Sequence, residues 1–188
     1  MVVAGVAKDR SRGFQLIRRA AEAEHREAQF RMGVFFEKGD LVKASPTEAF
    51  RWYSRAASAG HALALFNLGL AYCYEKGVTR DVEKAVHYFL EAAQRGSDRA
   101  QYNMGVAYRD GWMVKKDAAT AAYWFQKAAD QEHAEAQFQL AIAYGGGFGV
   151  SEDIGTSMMW AHRAAKNGHP DAANILKQVQ GSSDAQGS

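Results

Sequence analysis

Six histidines, one cysteine, a run of glycines and scattered serines and aspartates are the residues of this 188-residue chain whose types suit chemistry. Four histidines, His25, His61, His133 and His169, recur at one spacing or its double. A metal site needs its ligands within about 2.0–2.2 Å of one ion. Stacked helical elements hold equivalent residues roughly 8–10 Å apart. These histidines therefore read as turn residues, solvated or bonded to local backbone. His87 and His162 fall on second helices, where no acidic or cysteine partner is read three or four residues on and no metal is implied. The run Gly145-Gly146-Gly147-Phe148-Gly149 has the composition of a phosphate cradle. Such a loop needs a preceding strand and a helix N-terminus aimed at the anion. Here the run falls in a turn, where Gly39, Gly77 and Gly111 also fall. The serines, aspartates and histidines that fall in turns and caps come with no partner that would orient them, so no nucleophilic triad is suggested. Cys73, near the end of a helix and away from any N-terminus, reads as an inert, semi-buried thiol. Standing alone, it excludes a disulfide framework and a multi-cysteine zinc site. No catalytic residue, metal or cofactor is expected, and the chain is read as no enzyme.

What positions these residues is an internal repeat. Blocks beginning at His25, His61, Ser97, His133 and His169 follow one another every 36 residues without a slip. Counting each block's first residue as position 0, position 3 is alanine (Ala28, Ala64, Ala100, Ala136, Ala172) and position 7 a long apolar residue (Met32, Leu68, Met104, Leu140, Leu176). Position 8 is Gly33, Gly69, Gly105 and then Ala141, small enough to let a neighbouring backbone come close. Position 11 is aromatic, as is position 27 (Trp52, Tyr88, Trp124, Trp160), and an alanine pair follows at positions 31 and 32. Positions 3, 7 and 11 stack on one face at about 100° per residue, the mark of an amphipathic helix. A second helix opens at the N-cap residues Ser45, Asp81, Asp117 and Asp153, with a capping box predicted at Ser45-Pro46-Thr47-Glu48. It closes at Gly60, Gly96 and Gly168, with Glu132 as the exception.

A helix pair of this size cannot bury its own apolar face, so the pairs must stack. The fold expected is all-α: an α/α solenoid, a right-handed superhelix of about four full helix-turn-helix repeats with flanking half repeats. The boundaries are a half repeat 5–24, repeats 25–60, 61–96, 97–132 and 133–168, a capping helix 169–180 and a disordered tail 181–188. Abundant alanine beside only 2 prolines agrees with a helical chain. A net charge of +2 provides neither the basic field of a nucleic-acid binder nor an acidic tail. No apolar run reaches the roughly 18 residues that span a bilayer, and no signal peptide is read at the start. The chain thus reads as soluble, with the cytoplasm favoured.

The segments Ala64-Leu-Phe-Asn-Leu-Gly-Leu-Ala-Tyr72, Gly77-Val-Thr-Arg-Asp81 and Tyr88-Phe-Leu-Glu-Ala-Ala-Gln-Arg-Gly96 resemble the Sel-one-like repeats, a subclass of the tetratricopeptide-like solenoids. Ala100 to Tyr108 and Tyr123 to Ala129 repeat the pattern, and the resemblance covers roughly residues 5 to 180. Ala141, Ser157 and the stretch Gly111-Trp-Met-Val114 depart from it. The resemblance implies a peptide-binding groove on the inner-helix face. In this chain that face carries positions 2, 6, 9 and 13. It offers Arg31, Asn67, Asn103 and Gln139 at position 6, Glu27, Arg99 and Glu135 at position 2, and Lys38 and Tyr74 at position 13. Val34, Leu70, Val106 and Ile142 run between them at position 9. Phe30, Phe66, Tyr102 and Phe138, at position 5, read as core between repeats, with part of that stripe lining the groove as the alternative.

The function expected is a non-catalytic adaptor that binds a protein or peptide partner in the concave face. The alternatives are a cell-wall-associated hydrolase or ligand-binding protein like secreted cysteine-rich relatives, whose paired cysteines this chain lacks, and a structural spacer. Neither nucleic acid nor membrane insertion is expected. Gly5-Val-Ala-Lys-Asp9 aligns with Gly77 to Asp81, which places residues 5–9 in a turn, with Leu16, Ile17, Ala20 and Ala21 following as a second helix. On that alignment the chain is expected to be a piece of a longer array, or to cover its open N-terminal end by self-association.

Overall fold

A computed structural model describes residues 2–176, with side chains from Asp9 onward. Its helices are α1 (Val2–Glu22), α2 (Arg26–Lys38), α3 (Pro46–Ser58), α4 (Ala62–Cys73), α5 (Val82–Gln94), α6 (Asp98–Asp110), α7 (Ala118–Ala129), α8 (Ala134–Gly146) and α9 (Ile154–Lys166). Residues 170–176 add a further helical stretch, α10, and no strand occurs among the described residues. The chain is an all-α repeat solenoid that divides into two compact units, Met1–Arg95 and Gly96–Ser188. In the first, α2 packs on α1 and α3, and α4 on α3 and α5. In the second, α7 packs on α6 and α8, and α8 on α9. No helix among the described residues is long and apolar enough to cross a membrane. The expected tail 181–188, and the end of the expected capping helix 169–180, lie outside the described residues.

The caps explain the period. Position 0 is the N-cap of each first helix, where the Nδ1 of His25, His61, His133 and His169, or the Oγ of Ser97, accepts from the amide three residues on at 3.3–3.4 Å. Ser45, Asp81, Asp117 and Asp153 cap the second helices in the same way. Their own amides donate to the position 11 carbonyls of Phe36, Tyr72, Tyr108 and Tyr144, tying the start of each second helix to the end of the first. Ser45 therefore forms half a capping box: its Oγ accepts from Glu48, but its amide goes to Phe36 and the Glu48 carboxylate to Arg51.

Inside each pair, a ring fills the space that the position 8 glycine leaves open. A Cβ built on Gly69 would meet Phe89 at 2.6 Å, and one on Gly105 would meet Phe125 at 2.5 Å. Gly33 is covered likewise by Tyr53. What approaches the glycine is thus a position 28 side chain, where a backbone was expected. The fourth full repeat exchanges the pair for Ala141 and Ala161, both buried, so the departure at Ala141 is matched across the contact. Ser157, the other departure, donates to the Ala141 carbonyl at 2.6 Å.

Two expectations need correction. Residues 5–9 are helical, part of the unbroken α1, and form no turn. Within that helix Phe14 is buried against Phe35, at 5.2 Å between ring centroids, whereas Leu16 is exposed. The glycine run is also split: Gly145 and Gly146 close α8, and the turn starts at Gly147, whose φ is 66°. In the third block Met113 takes the left-handed conformation (φ 62°) that Gly77 and Gly149 take at the same position. At those two glycines a Cβ would run into the carbonyls of Pro46 and Ala118, which open the second helix of the preceding repeat.

Candidate functional site

Two cavities occupy equivalent places in the two units. In the first unit α2, α3 and α4 enclose about 220 Å³ over a floor of Ala49, Phe50, Leu70 and Ala71, with Glu37, Tyr53, Asn67 and Lys76 around it. In the second, α6, α7 and α8 enclose about 90 Å³ over Ala121, Ala122, Ile142 and Ala143, with Arg109, Phe125, Gln139 and Phe148 around it. Every lining residue of one has its counterpart two repeat periods along in the other. The two cavities are built alike, one first helix and its second helix forming two walls and the next first helix the third. Both volumes fall below the roughly 300–1,000 Å³ of small-molecule sites and match single side chains better than a cofactor.

The polar groups differ. Tyr53 donates its hydroxyl to Glu37 Oε2 at 2.6 Å, and Asn67 hydrogen-bonds the same hydroxyl. Burial first, then the neighbouring carboxylate, hold the Tyr53 phenol far above its ordinary ionisation range, so it remains a neutral donor. In the second unit Arg109 forms a two-point pair with Asp110, at 2.8 Å each, and donates to Gln139 Oε1 at 2.8 Å. Asp110 is held below the usual carboxylate range chiefly by that guanidinium.

Of the residues expected on the binding face, Asn67 and Gln139 line these cavities, together with Leu70 and Ile142 from position 9. Asn103 is turned onto its own helix and donates to the Arg99 carbonyl at 2.7 Å. Arg31 pairs with Glu27 at 2.9 Å, and Glu27 also meets His61 Nε2 at 3.0 Å; these bonds, His61 first, hold the Glu27 carboxyl below its ordinary range. Glu27 and His61, but not Arg31, border a wide, open cleft of about 990 Å³ beside Gly60 and Arg95. Lys38, Arg99 and Glu135 are exposed and line neither cavity, and Tyr74, also exposed, caps α4. Positions 12, 21, 24, 25 and 28, which provide two walls of each cavity, were missed because they lie on the second helix or at the end of the first. Their signal was the recurring alanine and ring beside position 27.

The stripe at position 5 splits. Phe66 is buried, and the half-buried Phe30, Tyr102 and Phe138 lie flat on the next repeat's N-cap imidazole, with centroids 4.4 Å from His61, 4.8 Å from His133 and 4.1 Å from His169. Those histidines thus both cap a helix and stack on a ring. Among the described residues no group of three or more His, Cys, Asp or Glu is placed to hold a metal. The expectation that His87 has no acidic partner one turn on is corrected: Glu91 lies there at 3.8 Å, in an exposed, loose pair that makes no ligand set. Cys73 is buried, and burial raises its thiol above the ordinary range, outweighing Arg80.

Comparison with known proteins agrees with this architecture. A Sel1 repeat protein from Oxalobacter formigenes superposes with a TM-score of 0.86 at 33% identity, over 90% of this chain and 49% of its own. The c5321 protein, a protective antigen present in uropathogenic Escherichia coli strains with an SLR fold, matches with a TM-score of 0.80 at 34% identity, over 87% of this chain and 35% of its own. The chain therefore spans about half or less of these relatives. Helicobacter pylori cysteine rich protein B, at 23% identity and a TM-score of 0.56 over 73% of this chain and 98% of its own, shares the fold. Among curated proteins no significant match is found. Sel1 repeat proteins generally act as protein–protein interaction scaffolds. With the Sel1 repeat matching at residues 4–25, 26–61, 62–97, 98–133 and 134–169, the chain belongs to the Sel1 repeat family.

Proposed function

We propose that this chain is a non-catalytic scaffold that holds an extended segment of a partner protein along the first-helix faces of its repeats, with side chains of that segment entering the cavities. The observation that supports this is the recurrence of one cavity at equivalent positions in both units. In each unit an apolar floor beside a position 6 amide suits a polypeptide segment, which offers apolar side chains and backbone polar groups together. Asn67 and Gln139 would bond the backbone or a polar side chain while Leu70 and Ile142 contact its apolar part.

A random peptide library panned on the immobilised chain tests the reading. Enriched peptides should bind at micromolar affinity by titration calorimetry. Asn67→Ala and Gln139→Ala should each weaken them severalfold, while costing the fold no more than the one hydrogen bond each removes, about 0.5–1.5 kcal/mol. Asn103→Ala should leave them unchanged, since its amide is spent on Arg99. Peptides indifferent to both cavity variants would exclude the cavities as the site.

A further inference from the structure

The first-unit cavity has a polarity its counterpart lacks. Glu37 stands at its mouth, with Oε2 fixed by the Tyr53 hydroxyl at 2.6 Å and Oε1 only 4.0 Å from Lys76 Nζ. In the second unit the residue equivalent to Glu37 is Arg109, already taken up by both oxygens of Asp110, while Phe125 and Phe148 replace Tyr53 and Lys76.

We propose that the Glu37 cavity is a socket for one lysine or arginine side chain of the bound segment, its aliphatic stem on Phe50, Leu70 and Ala71 and its cation on Glu37 Oε1. This rests on the peptide-scaffold reading. Charge supports it first. An acidic side chain would be repelled by Glu37, and a purely apolar one would strip water from the carboxylate without replacing it. Size supports it next, since about 220 Å³ accommodates one long side chain. The chain's own Lys76 supports it most directly: an ammonium on an aliphatic stem already lines this cavity and leans toward Oε1. At 4.0 Å, with both side chains substantially exposed (53% and 41%), that pair is loose enough for a ligand cation to displace it. Tyr53 acts as a positioning residue, holding the carboxylate by its other oxygen so that Oε1 faces the cavity.

The test is a double-mutant cycle on peptides from a random phage-displayed library panned on the full 188-residue chain. Enriched sequences should share a lysine or arginine. Replacing it by norleucine, or changing Glu37→Gln, should each weaken binding about tenfold, and the two together no further. The amide oxygen that Glu37→Gln introduces can still accept from Tyr53, so the fold should be kept, and an unchanged melting temperature checks this. Lys76→Met should tighten binding by roughly two- to fivefold by removing the competitor. Enriched peptides without a shared cation, or a cation whose loss adds fully to Glu37→Gln, would overturn the socket and leave the scaffold reading standing. A library with no enrichment over bare support would overturn both.

Discussion

Asn167 donates its Nδ2 to Gln137 Oε1 at 3.0 Å, and Gln137 donates its own Nε2 to the Ala129 carbonyl at 3.1 Å. Both ends of this fully buried amide are therefore bonded. Gln101 is treated alike by Gln131, at 2.8 Å. The equivalent Gln29 reaches the Ala21 carbonyl at 3.4 Å, but its buried Oε1 has no partner. Where Asn167 stands, this repeat has Ala59, with nearly the same backbone (φ −85°, ψ 10° against φ −85°, ψ 12°). Ala59→Asn should therefore add about 1 kcal/mol and raise the melting temperature by about 2–4 °C, read by circular dichroism. In a Gln29→Leu background, which copies the buried Leu65, the gain should vanish. A gain that survives there would disprove the pairing.

Gly105 and Phe125 are complementary in volume, as Ala141 and Ala161 are. Gly105→Ala should cost about 1–3 kcal/mol by overpacking, and Phe125→Ala about 3–5 kcal/mol by the cavity it leaves. Their double variant recreates the Ala–Ala pair and should lose at least about 1 kcal/mol less than the sum. Strict additivity in denaturant unfolding would refute a direct contact.

His133 holds two bonds whose energies can be separated. Its Nδ1 caps α8, and its ring stacks on Tyr102 at 4.8 Å. His133→Ala should cost about 1–2 kcal/mol, the cap and the stack together. His133→Ser copies Ser97, which caps α6 through its Oγ, and should recover the cap alone. Equal losses for the two variants would show that the cap contributes nothing.

The helices and their period were legible because alanines, rings and caps repeat on a 36-residue grid, and local spacing is what sequence displays. The cavities were half legible. Asn67, Gln139, Leu70 and Ile142 share a helix face, which a helical wheel reveals. Glu37 and Tyr53 are brought together by the packing of α3 on α2, a tertiary relationship no wheel contains. Gln29, Gln101 and Gln137 escaped notice for a related reason: a glutamine on a helix reads as exposed until a neighbouring carbonyl is found to receive it. At the start, the glycine that aligned with turn glycines lies in a helix, because α1 continues where the other repeats turn.

Acid should reveal the second-helix caps. Asp117 and Asp153 are held below the ordinary carboxylate range, first by the hydroxyls of Thr120 and Thr156, and Asp81 first by the Lys84 amide. A carboxyl whose folded value is depressed stabilises the fold fully above its unfolded value of about 3.9. It loses that contribution as pH falls through the folded value. The melting temperature should therefore hold steady from pH 7 to about 5 with respect to these groups, then fall as pH drops below about 4. Asp117→Asn keeps a capping oxygen without the charge. It should melt below the wild type at pH 7 and converge with it as pH falls through the folded value of Asp117, below which both caps are neutral. A gap of constant size across that range would show that the charge on Asp117 plays no part in capping α7.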